Sequence, residues 1–310
     1  MKNAVDIGTT AKVILVTGGT GFLGSHLVRN VILRSTVQLV ILVRNESKLR
    51  HVSDLIEQYK ERISIINIDT IESLSWVFLN YPIDAIIHCA THYGRKSINP
   101  LSQIRVNLVL PLELLELGRI HGIRYFINTD TILDKRISHY SLSKKQFKDW
   151  MECYCNDFVC INMALEHFYG AHDDVTKFIS YIIDSMLTKV PIINLTSGVQ
   201  KRDFIYIEDV VEAFMTIFGA MSRWQPGFYC FEIGTSYAIS IKDMVLLIKR
   251  LSKNEVTVLN FGGIPLRENE VMESYSDASG IRNLGWEPIF SIEQGLLRTI
   301  NMEKSIRGLI

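Results

Sequence analysis

The tightest constraint on this chain is a run of small residues that follows four apolar β-formers near its start. Val13-Ile14-Leu15-Val16 leads into Thr17-Gly18-Gly19-Thr20-Gly21-Phe22-Leu23-Gly24. A strand that ends on glycines and restarts as an amphipathic helix leaves few geometries open. Gly18 permits a tight turn, Gly21 lets backbone approach a pyrophosphate, and Gly24 lets the helix pack closely on the strand. The helix start offers unpaired N–H groups and positive potential, so Thr20, Phe22 and Leu23 join the glycines as expected dinucleotide contacts. The bland alternative is a glycine turn with structural duties only.

Around this turn the first half of the chain alternates strand-like and helix-like segments. Apolar runs of strand length fall at Val13–Val16, Val37–Val43, Ile63–Ile66, Ala85–His88, Tyr125–Ile127 and Phe158–Ile161. Helix-like stretches between them include Gly21–Leu33, Leu101–Gly118 and Tyr140–Cys155. β-branched runs without polar alternation predict strands covered on both faces. The fold class is therefore α/β, a doubly wound parallel sheet (Rossmann) with a smaller C-terminal substrate-binding domain. Residues 1–165 are expected to form the dinucleotide-binding domain, with returns to its sheet within 203–233, and 166–310 mainly the substrate-binding domain.

The second strand ends in Leu42-Val43-Arg44-Asn45-Glu46-Ser47-Lys48. An acidic residue here would suit the ribose hydroxyls of NAD. Arg44 instead offers a fork of donors to a 2′-phosphate, with Asn45 and Lys48 close by, so the expected cofactor is NADP(H). A solvated pair of charges at a strand end is the plainer reading. Asp69, after the third strand, is an expected adenine contact or an ordinary turn aspartate.

Tyr140-Ser141-Leu142-Ser143-Lys144 puts a phenol and an ammonium one helical turn apart on one face. A phenol with a pKa of about 10 shuttles protons poorly at neutral pH. A cation about 4 Å away contributes roughly 4 kcal/mol at an effective dielectric near 20, which is about three pKa units. Lys144 is accordingly expected to make Tyr140 acidic enough for general acid–base work.

These features carry a resemblance to the extended short-chain dehydrogenase/reductases, the NAD-dependent epimerase/dehydratase family, over nearly the whole chain. Ile86-Ile87-His88-Cys89-Ala90 is similar to the family's strand-four motif, and Leu165-Glu166-His167-Phe168-Tyr169-Gly170 to its asparagine-valine-tyrosine-glycine motif, with His167 in place of asparagine. Gly198 to Tyr206 resembles the segment whose arginine holds a nucleotide-sugar diphosphate, and Leu284-Gly285-Trp286-Glu287-Pro288 the closing motif. Asn128-Thr129-Asp130-Thr131, Tyr93-Gly94 and Arg267-Glu268-Asn269-Glu270 are similar to the branch of 4-ketoreductases acting on CDP-linked keto sugars. The resemblance implies an active-site hydroxyl from Thr131, or from Thr129 if the register slips by two. It implies Ala90 and Asn107 near the cofactor, and Thr91, Thr131, His167, Arg202 and Arg267 on a nucleotide-diphosphate-sugar substrate. It also implies a homodimer built on the helices at Leu101–Gly118 and Tyr140–Cys155. Only nine positions separate Thr131 from Tyr140, fewer than the family usually has, and Ala164 and Ala171 stand where arginine and proline are common.

Composition closes off other classes. Lys plus Arg and Asp plus Glu both number 33, so no net field draws the chain to nucleic acid or an anionic membrane. No window approaches the roughly 18 apolar residues of a membrane helix, and no cleavable leader pattern stands at the start. Five cysteines (Cys89, Cys153, Cys155, Cys160, Cys230), with no CxxC pair, argue for a reducing cytoplasm rather than a disulfide framework. Without His-x-x-x-His or mixed Cys/His spacing no metal site is expected, and His88 reads as a packed residue.

Three chemistries remain. Family dehydratases place threonine-aspartate-glutamate at the end of strand five, and Thr129-Asp130-Thr131 lacks the glutamate. Epimerases return the hydride to the sugar and usually hold NAD, whereas a net reductase draws on NADPH, which Arg44 favours. The expectation is NADPH-dependent reduction at C4 of a 4-keto-6-deoxy or 3,6-dideoxy sugar, CDP-linked by resemblance. The alternatives are a 4-epimerase or 4,6-dehydratase, and a non-catalytic NADP(H)-binding sensor.

Overall fold

The computed structural model describes residues 10–44, 46–69, 73–95, 99–268 and 270–309, with residues 46–48 described in their backbone alone. Asn45 and Asn269 lie outside the described residues, as does the side chain of Lys48.

Six strands make the first half: β1 Val13–Thr17, β2 Gln38–Val43, β3 Ile63–Asn67, β4 Ala85–His88, β5 Tyr125–Thr131 and β6 Val159–Leu165. The second half adds β7 His167–Tyr169, β8 Ile192–Leu195, β9 Lys201–Tyr206, β10 Gly227–Ile233, β11 Ala238–Ser240, β12 Val258–Phe261 and β13 Glu273–Ser274. The helices up to residue 160 are α1 Phe22–Arg34, α2 Ser53–Gln58, α3 Leu74–Asn80, α4 Pro100–Ile104, α5 Leu110–His121 and α6 His139–Tyr154. Beyond it come α7 Phe178–Leu187, α8 Ile207–Ala220, α9 Ile241–Ser252, α10 Ser279–Arg282 and α11 Ile292–Ile306.

The chain forms two compact units. One runs to Leu165 and includes Val211–Phe231; the other comprises Glu166–Val210 and the chain from Glu232 onward. The first is built on a seven-stranded sheet of order β10-β6-β5-β4-β1-β2-β3. Its pairs from β3 to β6 are all parallel. Strands buried along their whole length, such as β1, β4 and β5, need cover on both faces, and α5 and α6 cover one of them. The strand order reverses between β1 and β4, which opens a crevice beyond their carboxyl ends. One core cluster joins Leu15, Val40, Ile86 and Phe126 of the sheet to Leu114 of α5 and Phe147 of α6.

Helix ends follow their local chemistry. Asn99 caps α4 and Pro100 takes the first helical position. Arg105–Val109 then wind as a π-helical turn before α5, which ends on the left-handed Gly122. Ser138 and Ser141 form a reciprocal capping box that fixes the start of α6 two residues before Tyr140.

The second unit holds β11-β9-β13 with β7 on β9, and a separate pair β12-β8. Asp203, fully buried on β9, accepts from the backbone and hydroxyl of Thr235, the backbone of Ser236 and the hydroxyl of Ser276. This corrects one expectation: of the two strand-like stretches in 203–233, Gly227–Ile233 joins the main sheet, while Asp203 and its neighbours belong to the small one. The carboxylate of Asp203 binds it to the Thr235–Ser236 turn, a partnership that hydropathy does not display.

Candidate active site

At the carboxyl end of β1 the chain turns through Gly18, whose φ is 68°. A Cβ there would lie 2.5 Å from the backbone nitrogen of Ala90, so the turn rests directly on the end of β4. Gly24 packs so closely on the Gly18 carbonyl that no side chain fits. Gly21 caps α1 in extended conformation with no side-chain cap, and no acidic residue stands in the first turn. The result is a cradle of backbone with a helix N-terminus aimed at it, which suits a pyrophosphate. Thr17 braces the cradle: its hydroxyl shares a 2.8 Å hydrogen bond with His88 Nδ1 and accepts from the Ala90 amide at 3.3 Å. Arg44 is exposed just past β2, and Asp69 is exposed past β3, its amide donating to Asn67 Oδ1 at 3.0 Å.

Tyr140 sits in the first turn of α6, and the Thr131 side chain nearby eases the loss of its proton. The Thr131 hydroxyl also accepts from the Leu133 amide at 3.2 Å. Thr129 is turned elsewhere, its hydroxyl donating to the His88 carbonyl at 3.0 Å in the core. The Tyr93 ring lies 5.0 Å from that of Tyr140, and the Arg95 guanidinium stands 4.9 Å over Tyr93. A cleft of about 700 Å³ opens beside them, lined by Tyr93, Gly94, Gln103, Arg136, Ile137 and Tyr140. Thr91 is half-buried in the segment between β4 and this wall.

Lys144 follows Tyr140 by one turn of α6. Its Nζ is buried with no hydrogen-bond partner among the described residues. Burial, offset in part by Asp130 and Cys89, lowers it to about 8. Tyr140 is pushed well above its ordinary value, first by burial and then by Tyr93 and Asp130, with Thr131 and Arg95 opposing. Desolvation is the largest influence on both groups. His88 is likewise held neutral by burial and by Lys144, and burial pushes Cys89 up to about 12.

Asn107 lies in the π-helical turn, fully buried. Its amide donates to the His92 carbonyl and the Ser143 hydroxyl, both at 3.0 Å, and its oxygen accepts from the His92 amide at 2.8 Å. It thereby ties the 89–95 segment to α6. Lys145 went unread in the sequence, and Asp130 was read only as half of a dehydratase pair. The Asp130 carboxylate, with no exposed side-chain surface, pairs with Lys145 Nζ at 3.1 Å and accepts from Asn162 Nδ2 at 3.0 Å. Lys145 also donates to the Thr131 carbonyl. The only signal was a second lysine beside the first.

The remaining expected residues lie in the second unit. Arg202, nearly buried, pairs with Glu270 and donates to the Lys201 carbonyl at 2.7 Å. The Glu270 amide donates to the Arg267 carbonyl at 3.1 Å, and Arg267 itself is exposed. His167 Nδ1 meets Glu166 at 2.8 Å, and Glu166 also accepts from the Ser274 hydroxyl at 2.9 Å. Among the described residues no cluster of acids, histidines and cysteines could hold a metal ion, and no helix is long and apolar enough to cross a membrane.

A strand-turn-helix cradle beside a Tyr-x-x-x-Lys helix defines a class, and comparison with known proteins specifies it. The model of the NAD dependent epimerase/dehydratase family matches residues 14–229. The chain belongs to that family. It is 35% identical over 302 residues to a CDP-abequose synthase of Salmonella muenchen, covering 94% of this chain and 98% of the relative. A CDP-abequose synthase of Salmonella typhimurium is 30% identical over 296 residues, covering 91% and 95%. The structure of UDP-glucose 4-epimerase with UDP-glucose from Thermotoga maritima superposes with a TM-score of 0.80 at 22% identity, covering 95% of this chain and 99% of that one.

Proposed function

We propose that this protein is an NADPH-dependent reductase of the C4 keto group of a nucleotide-linked 4-keto-6-deoxy sugar, CDP-linked as the names of the two Salmonella relatives suggest. The observation that carries the reading is the placement of Tyr140, on the wall of a cleft large enough for a hexose and one helical turn before Lys144. Reduction needs a proton donor at the oxygen that gains charge, and a phenol is one. Asp130 is unsuited to dehydration, since Lys145 and Asn162 occupy its carboxylate inside the protein.

A reduced nicotinamide dinucleotide, when bound, supplies hydride. The glycine cradle and the α1 N-terminus would hold its pyrophosphate, and Arg44 the 2′-phosphate. The unpartnered Lys144 ammonium needs oxygen acceptors, and ribose hydroxyls are of the right kind. Thr131 orients the substrate's C4 oxygen and Tyr140 donates the proton, while Asn107 keeps the 89–95 wall against α6. Arg202 and Arg267 take the substrate diphosphate, for which guanidinium forks are suited. Absorbance at the nicotinamide band, with NADPH or NADH against CDP-, UDP-, dTDP- and GDP-linked 4-keto-6-deoxy sugars, tests this directly. Consumption of NADPH with one of them is expected; binding without consumption would sink the reading.

A further inference from the structure

We infer that Lys145 is a positioning residue for the Tyr140–Thr131 pair, holding the end of β5 against α6 and covering the charge of Asp130. The inference rests on the proton-donor role given to Tyr140 above. Lys145 reaches from α6 to two groups that flank the Thr131 hydroxyl in the chain: the Asp130 carboxylate at 3.1 Å and the Thr131 carbonyl. The Thr131 side chain in turn lies beside Tyr140, which stands in the first turn of the same helix. Lys145 is the cationic tie between this strand end and the helix that carries the phenol. The strap matters because β5 and α6 are joined by only residues 132–138.

Asp130 has no exposed side-chain surface, and its other partners are neutral: Asn162 Nδ2 at 3.0 Å and the Thr131 amide at 2.7 Å. Asn162 is itself held by Asn128 Nδ2 at 2.7 Å. The ionisable groups facing Tyr140 are Tyr93 and Arg95 from the 89–95 segment and Asp130 from β5. Those facing Lys144 are Asp130, Cys89, His88 and Lys145. Only Lys145 neutralises Asp130 by direct contact among these groups. Without it an uncompensated buried carboxylate faces the phenol, makes its proton harder to release, and loosens the strand end that aims Thr131.

The test compares Lys145→Met, Lys145→Arg and the double variant Asp130→Asn, Lys145→Met. Steady-state turnover with NADPH and the keto-sugar substrate is paired with a ¹⁹F NMR titration of cofactor-free protein carrying a trifluorotyrosine at position 140. Lys145→Met should lower kcat by about ten- to a hundredfold with KM within about threefold, and move the fluorine titration midpoint to higher pH. Lys145→Arg should keep both near wild type, and the double variant should return the midpoint. An unmoved midpoint in Lys145→Met, or loss of kcat in Lys145→Arg equal to that in Lys145→Met, overturns the inference. If Lys145→Met does not fold, the double variant decides alone: a wild-type midpoint supports the inference and a raised one overturns it. Absence of turnover by the wild type with every nucleotide-linked keto sugar would instead overturn the reductase reading, with the fluorine titration still judging Lys145.

Discussion

The Thr129 hydroxyl donates to the His88 carbonyl in the core, whereas that of Thr131, two residues later on the same strand, accepts from the Leu133 amide beside the start of α6. Strand periodicity puts both threonines on one face, but only the one at the strand's very end reaches the helix.

Tyr140→Phe keeps the ring and its packing against Tyr93 while removing the proton. Turnover should fall by about 10²–10⁴-fold, with NADPH affinity, read by cofactor fluorescence, within about threefold. Retained turnover would take the tyrosine out of the chemistry.

Lys144 supplies a pH signature. Its pKa falls from 10.5 to about 8 in the folded protein, so between those values the unfolded chain binds more protons. Unfolding free energy should therefore gain a rising contribution with pH from about 8 to 10.5. Lys144→Met should remove that slope and, by deleting a buried ammonium without partners, stabilise the cofactor-free protein near pH 7 by about 1–3 kcal/mol. Urea denaturation at several pH values measures both effects.

Gly18→Ala asks for a left-handed backbone and a Cβ 2.5 Å from the Ala90 nitrogen. A loss of at least about 2 kcal/mol in stability is expected, together with loss of NADPH binding. Gly122→Ala is the control: the same backbone strain but no atom within 4 Å, so about 1 kcal/mol and intact cofactor binding. Equal behaviour of the two variants would show that the cradle has no special role.

Arg44→Ser should lower the preference for NADPH over NADH by about ten- to a hundredfold, the worth of a charge-assisted hydrogen bond. The ratio of kcat/KM values for the two cofactors measures it. An unchanged ratio would place Arg44 among ordinary solvated residues.

Local features were legible in the sequence. The glycine turn, the flanking strands and the Tyr140–Lys144 spacing each lie within a few residues, and backbone geometry alone relates their parts. Partnerships across the fold were not: Asp130 with Lys145 and Asn162, Arg202 with Glu270, Asp203 with Thr235. Each joins residues whose proximity depends on register or on a loop's path. Helical spacing tells how far apart two side chains start, but burial, a property of the packed whole, sets what the proton of each costs to release.

The π-helical turn at Arg105–Val109 carries a length constraint of its own. A wider turn accommodates one residue more than regular winding would, and that surplus is what brings Asn107 round to Ser143 and His92. Deleting one residue there would restore regular winding and leave the flanking helices near their present faces, but would remove the bulge that presents Asn107. Local winding energy and the anchoring of the cleft wall thus pull in opposite directions, and the better-wound helix would be the one that had lost its hold.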